Sequence, residues 1–138
     1  MNKEKAKEFI SKVHIGHLAT IGLDNKPHVR PVGAGVFYGD DIYFFTLSTR
    51  NKHAEMQANP DVEIVWYSFE GEVQVHIKGK AFLVEDEKLR KKFREQVGVI
   101  DRIVPEDLRQ YYVLYRIHPE KVEYSKGFVI TYTEIPWY

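Results

Sequence analysis

The sequence predicts a mainly β fold: six or seven mostly antiparallel strands in a small barrel, with short helices at its edges. Three observations carry this. Val73, Val75 and Ile77 alternate with Gln74, His76 and Lys78, which is the period of a half-buried strand. Turn residues such as Asp24-Asn25-Lys26-Pro27 and Gly39-Asp40-Asp41 separate short apolar segments, as hairpins require. One helical segment interrupts the strands mid-chain, so the regular strand–helix alternation of a parallel sheet is missing. No G-x-G-x-x-G and no G-x-x-x-x-G-K-[ST] motif occurs.

The elements follow in order. Ala6, Phe9, Ile10 and Val13 recur at helical spacing and predict a short N-terminal helix over 3–13. Residues 17–21 read as the first strand and 28–38 as the second. Pro31, which cannot donate to a ladder, and Gly33 and Gly35 disturb the pairing of that second strand. The third strand covers 42–46, and a helix from about 50 to 58 is stopped by Asn59-Pro60. A fourth strand covers 62–67, and a long fifth begins near Val73. Residues 85–96 form an amphipathic helix with Leu89 and Phe93 inward, and 105–109 a further short one. The last strand, 111–125, is expected to break near His118-Pro119. The C-terminal stretch, 128–138, is apolar and aromatic, and Tyr132, Trp137 and Tyr138 are expected to pack against a partner subunit or, as the alternative, to cover a bound ligand.

The length of 138 residues suits a single domain spanning 1–138 with a substantial core. Apolar residues make up 43% and charged residues 29%, with 20 basic residues balancing 20 acidic ones. A net charge of zero argues against a general nucleic-acid binder but leaves room for a local basic pocket. The absence of cysteine removes disulfides, thiolate chemistry and Cys-ligated metals. A polar N-terminus and no long apolar run predict a soluble protein with no membrane partner, and a reducing cytoplasm is the simplest location.

The most informative stretch runs from Ile42 through Arg50-Asn51-Lys52 to Asn59-Pro60. A helix N-terminus carries partial positive charge and free N–H groups, so acidic residues are usual in its first turn. Here Arg50 and Lys52 stand there, beside Ser48, Thr49 and Asn51. Two cations at that pole are unfavourable unless an anion joins them, and a phosphate would reverse the sign. The reading is a phosphate-bearing ligand at a strand–turn–helix junction. The six histidines show no metal-ligand spacing, and no serine has a nucleophile-elbow context. Bland alternatives stand beside this. Arg50 and Lys52 also suit a solvated helix face, Arg30 an ion pair with an acidic neighbour across the sheet, and Gln74 an outward position on an alternating strand.

Four ordered segments carry a resemblance: Gly16-His17-Leu18-Ala19-Thr20 with Lys26-Pro27-His28-Val29-Arg30-Pro31-Val32, then the 42–60 stretch, then residues 73–81, then Tyr115-Arg116-Ile117-His118-Pro119 through Tyr124. Together they resemble the FMN-binding split barrels related to pyridoxamine 5′-phosphate oxidase. The resemblance implies a six-stranded antiparallel split β-barrel with flanking short helices, and a homodimer holding FMN at the subunit interface. By position, Lys52 would bind the phosphate with Asn51 and Arg50 close by, and Arg30 would reach the phosphate or ribityl chain. The backbone at Pro31, Val32, Phe45 and Thr46 would line the isoalloxazine, and Gln74 would hydrogen-bond the flavin edge. After Gly127 there is no Arg-x-His arm of the kind the oxidase uses to grip pyridoxal phosphate. The chain is therefore similar to the short, functionally broad members, such as the nitroimidazole-resistance and general-stress types.

The function implied is a flavoprotein passing electrons from a reduced nicotinamide to a small acceptor. The flavin carries the redox chemistry, so no side chain is assigned as catalytic. Two alternatives remain: an F420-dependent reductase of the same fold, and a non-enzymatic flavin or haem binder in which His28, His53 or His76 would be the axial ligand.

Overall fold

In the computed structural model, which describes residues 1–128 and 131–138, every strand pairing is antiparallel. Val129 and Ile130, within the aromatic C-terminal stretch, lie outside the described residues. The chain opens with α1 (Lys3–Val13), whose first turn is capped by the Asn2 side chain accepting from Lys5 N. Then come β1 (Ile15–Ile21), β2 (Pro27–Gly33), β3 (Val36–Tyr38), β4 (Asp41–Leu47), α2 (Asn51–Ala58), β5 (Asp61–Ser68) and β6 (Val73–Val84). The helices α3 (Glu87–Val97) and α4 (Val99–Ile103) precede a 3-10 turn, the long β7 (Tyr112–Lys126) and the short β8 (Thr133–Glu134).

Across the sheet the order is β2-β1-β5-β6-β7-β4-β3, with β8 beside β7. Hydrogen bonds therefore do not close the sheet; β2 and β3 are its ends. It nevertheless curls around one core. Val32 from β2 shares that core with Leu18 of β1, Phe44 of β4, Trp66 of β5, Ile77 of β6 and Tyr115 of β7, and Ala6 and Ile10 of α1 complete it. A second cluster, with Phe93, Ile100, Tyr112 and Leu114, fills the space beneath α3 and α4. The strand facing the first cluster shows the expected alternation: Val75 and Ile77 are fully buried, while Lys78 is exposed.

The mainly β class with short flanking helices agrees with the sequence, and four local readings need correction. The expected second strand, 28–38, is two strands. Ala34 and Gly35 lie outside the ladder, and there the Trp66 indole N–H donates to the carbonyl of Ala34 at 2.8 Å. With β8 added, the sheet has eight strands rather than six. The last strand does not break at His118-Pro119. It runs through, and a register shift between Lys78 and Gly79 on β6 absorbs the proline. A side chain at Gly79 would fall on the carbonyl oxygen of His118, so only glycine permits this approach. Trp137 is buried against its own chain, 6.1 Å from Phe37 and donating to Asp40 O at 3.0 Å. Tyr138 stacks on His118 and Tyr132 tilts over His76, but both stay exposed, so of the three aromatics only Trp137 is turned inward on its own chain.

Candidate functional site

The site grows from the turn between β4 and α2. Ser48 N donates to Tyr111 O and Arg50 N to Leu47 O, which fixes the path from the strand into the helix. Arg50 is the N-cap residue, in extended conformation, and no side chain caps the helix. The first turn holds no acidic residue, so its positive pole and its cations stand without a local carboxylate to offset them. Burial of Glu55 and Met56 anchors the other face of the helix.

Beside this turn lies a cleft of about 420 Å³, lined by Arg30, Pro31, Val32 and Gly33 from β2, Phe45, Thr46 and Leu47 from β4, then Arg50, Lys52 and Val104. Two strands distant in sequence and one helix start thus bring three cations to one opening. Lys52 is half-buried. Burial first, then repulsion from Arg30 and Arg50, lowers its pKa below the ordinary value of 10.5, with Glu55 opposing the shift. Among the described residues no carboxylate forms an ion pair with Lys52 or Arg50; Glu55 acts on Lys52 only at longer range.

Arg30 is different, because it is partnered. Its Nη2 donates to Glu55 Oε1 at 2.8 Å and its Nη1 to Thr20 Oγ1 at 2.7 Å, with a longer bond to Leu18 O. Thr20 Oγ1 donates in turn to Glu55 Oε1 at 3.0 Å, and His28 Nδ1 lies 3.1 Å from Glu55 Oε2. The bland reading of an ion pair was therefore right in kind but wrong in place: the acid comes from α2, not across the sheet. A guanidinium carries five N–H donors, and these bonds use three. Two remain for the cleft that Arg30 lines.

Of the nine residues predicted for the site, Arg30, Pro31, Val32, Phe45, Thr46, Arg50 and Lys52 line this one cleft. Asn51, the first residue of α2, is exposed next to it. Gln74 stands apart on β6, paired with Tyr67 and Ser125, its Oε1 2.7 Å from His76 Nε2. Glu55 was missed by sequence reasoning. The available signal was its place three residues after Lys52 and next to Met56, on the turn of α2 that must face the core. An adjoining apolar cavity of about 490 Å³ shares Gly33 and Phe45 with the cleft and extends beneath Phe93, Val97 and Val99. The cleft is cationic and its neighbour across Gly33 and Phe45 is mainly apolar. Together they can hold an anion joined to a flat apolar group, and among the described residues they bring no acid–base pair or nucleophile to the opening.

Comparison with known proteins bears on the family and the fold. The pyridoxamine 5′-phosphate oxidase family matches residues 2–126. The pyridoxine/pyridoxamine 5′-phosphate oxidase of Psychrobacter cryohalolentis is 28% identical over 94 residues, 68% of this chain and 44% of that protein, so the match spans less than half of the relative's length. A pyridoxamine 5′-phosphate oxidase-related, FMN-binding protein from Nostoc punctiforme superposes with a TM-score of 0.73 at 16% identity, covering 96% of this chain and 87% of the other. A heme-binding protein from Mycobacterium smegmatis does so with 0.76 at 14% identity, over 96% of this chain and 56% of the other. At those identities the two structures share the fold and nothing finer is carried over. Because the family match extends over residues 2–126 of 138, the chain belongs to the pyridoxamine 5′-phosphate oxidase family.

Proposed function

We propose that the protein is a single-domain, FMN-binding flavoprotein that passes electrons from a reduced nicotinamide to a small acceptor. In this reading it works in the cytoplasm as a homodimer with the flavin at the subunit interface. One observation carries the cofactor assignment: Arg30, Arg50 and Lys52 meet at one cleft although burial and mutual repulsion disfavour the charge on Lys52. A phosphate dianion would offset both terms and accept from the free N–H groups of α2. Lys52, Arg50 and the N–H groups near Asn51 then hold the phosphate, and Arg30 meets it from β2. The backbone at Pro31, Val32, Phe45 and Thr46 lines the isoalloxazine, and Gln74 bonds the flavin edge. Bound flavin supplies the redox chemistry; the protein's residues bind, orient and shield it.

The competing cofactors are less well served. Of the three histidines considered for haem, His28 has both ring nitrogens engaged, by Asp24 and Glu55, and so has His76, by Glu63 and Gln74, while His53 is held at Nδ1 by the Tyr115 hydroxyl. The longer acidic tail of F420 calls for further cations, whereas Glu55 already neutralises Arg30 here.

The test is the absorption spectrum of the purified protein with a fluorescence titration of FMN. Bands near about 370 and 450 nm, or tight quenching, are expected for a flavin site. Lys52→Ala is expected to weaken FMN binding tenfold or more, since a charge-assisted contact contributes about 1.5–3 kcal/mol. FMN fluorescence left untouched by the unaltered protein would overturn the reading.

A further inference from the structure

Glu55 is only 3% exposed, yet it belongs to a helix whose N-terminal turn faces the cleft. A buried carboxylate is costly unless every oxygen is satisfied. Here every oxygen is: Oε1 accepts from Arg30 and Thr20, and Oε2 faces His28 Nδ1. Thr20 is itself buried and bonds both members of the pair, accepting from Arg30 and donating to Glu55. Beyond His28 the chain of contacts reaches Asp24, 3.1 Å from Nε2. Arg30 is a long side chain on an end strand, with several rotatable bonds to lose on binding. In this arrangement two of its nitrogens are tied to α2 and β1 before any ligand arrives.

We infer that Glu55 is the positioning residue of the anion cleft, acting through Arg30. It rests on the anion-binding reading above. Glu55 touches no ligand itself. It fixes the guanidinium so that the remaining N–H donors present to the cleft without further ordering, and it locks that strand residue to the helix bearing Lys52. The same pairing sets the charge of the opening: Arg30 contributes donors while its charge is balanced, and the net attraction comes from Arg50 and Lys52. Such a cleft suits one phosphomonoester dianion.

The role makes a specific non-additivity. Glu55→Ala removes the anchor, and FMN affinity is expected to fall about tenfold, as in Arg30→Ala. In an Arg30→Ala background, Glu55→Ala is expected to cost nothing further, because there is no guanidinium left to position. Glu55→Gln keeps an acceptor for Arg30 and Thr20 and removes the opposing charge, so it is expected to bind FMN at least as tightly as the unaltered chain. Thr20→Val, a milder change, is expected to weaken binding in the same direction by a smaller factor. Thermal unfolding of each variant without ligand separates loss of fold from loss of binding.

Three results would overturn the inference. One is equal weakening in Glu55→Ala with and without Arg30. Another is tighter binding in Glu55→Ala, which would make the carboxylate a mere opposing charge. The third is Glu55→Gln behaving like Glu55→Ala. Failure of the underlying reading looks different: the unaltered protein would then bind no FMN, and Lys52→Ala would change nothing.

Discussion

Lys52 is charged where its surroundings favour the neutral amine, which separates its value to the fold from its value to a ligand. Its pKa lies below 10.5 because burial and then Arg30 and Arg50 oppose the ammonium. Between the folded value and 10.5 the unfolded chain binds more protons, so this residue lets stability rise with pH across that window. Tyr112 works in the opposite sense. Burial pushes it up to about 12, so its contribution is present below 10 and lost between 10 and about 12. Lys52→Met is therefore expected to leave the unliganded protein as stable as before or more so near neutral pH. The advantage over the unaltered chain should shrink as pH rises toward 10.5, and the stabilisation by a given concentration of FMN should be smaller. Thermal melts of both proteins across pH 7–9.5, with and without FMN, check this; a less stable unliganded variant would show Lys52 to be a structural side chain.

At the scale of elements, the register shift between β6 and β7 is the feature most sensitive to a single atom. Gly79 stands opposite Pro119, against the His118 carbonyl. Gly79→Ala is expected to cost about 1–3 kcal/mol, the range for forcing added volume into a packed contact, with loss of register rather than of strand content. Urea unfolding and far-UV circular dichroism measure the two effects separately. The same site shows what was legible in the sequence. The two long strands could be read from Val73, Val75, Ile77 and Tyr115, because alternation is local. The bulge joining them could not, because it depends on which glycine meets which proline across the ladder. α2 was readable from its Asn59-Pro60 stop, whereas α4 was not, since five residues after Gly98 carry too little periodicity. In the cleft, Lys52 and Arg50 announced themselves by standing at the wrong pole of a helix. Arg30 was visible as a cation on a strand, but its partner Glu55 lies 25 residues on. Only the crossing of α2 over β1 brings the two together.

At the scale of the whole molecule, one chain does not bring all the predicted flavin contacts to one place. The cleft draws on β2, β4 and α2, whereas Gln74 lies on β6, separated from β4 by β7 and from β2 by β1 and β5. If Gln74 and Lys52 touch the same flavin, a second copy must supply one of them, as a two-fold dimer does when the same patches meet reciprocally. Mixing two defective variants tests this. Lys52→Ala and Gln74→Ala chains are each purified, unfolded together, refolded, and exposed to FMN at a concentration that leaves each variant alone empty. Random pairing makes half of the dimers mixed. If each site takes Lys52 from one chain and Gln74 from the other, every mixed dimer carries one intact site and one with both lesions. About a quarter of all sites should then bind FMN. If each site belongs to a single chain, each retains one lesion in every dimer and the mixture stays empty. Light scattering on the same sample reports the oligomeric state. A monomer that binds FMN as tightly as the unaltered protein would remove the interface from the proposal altogether.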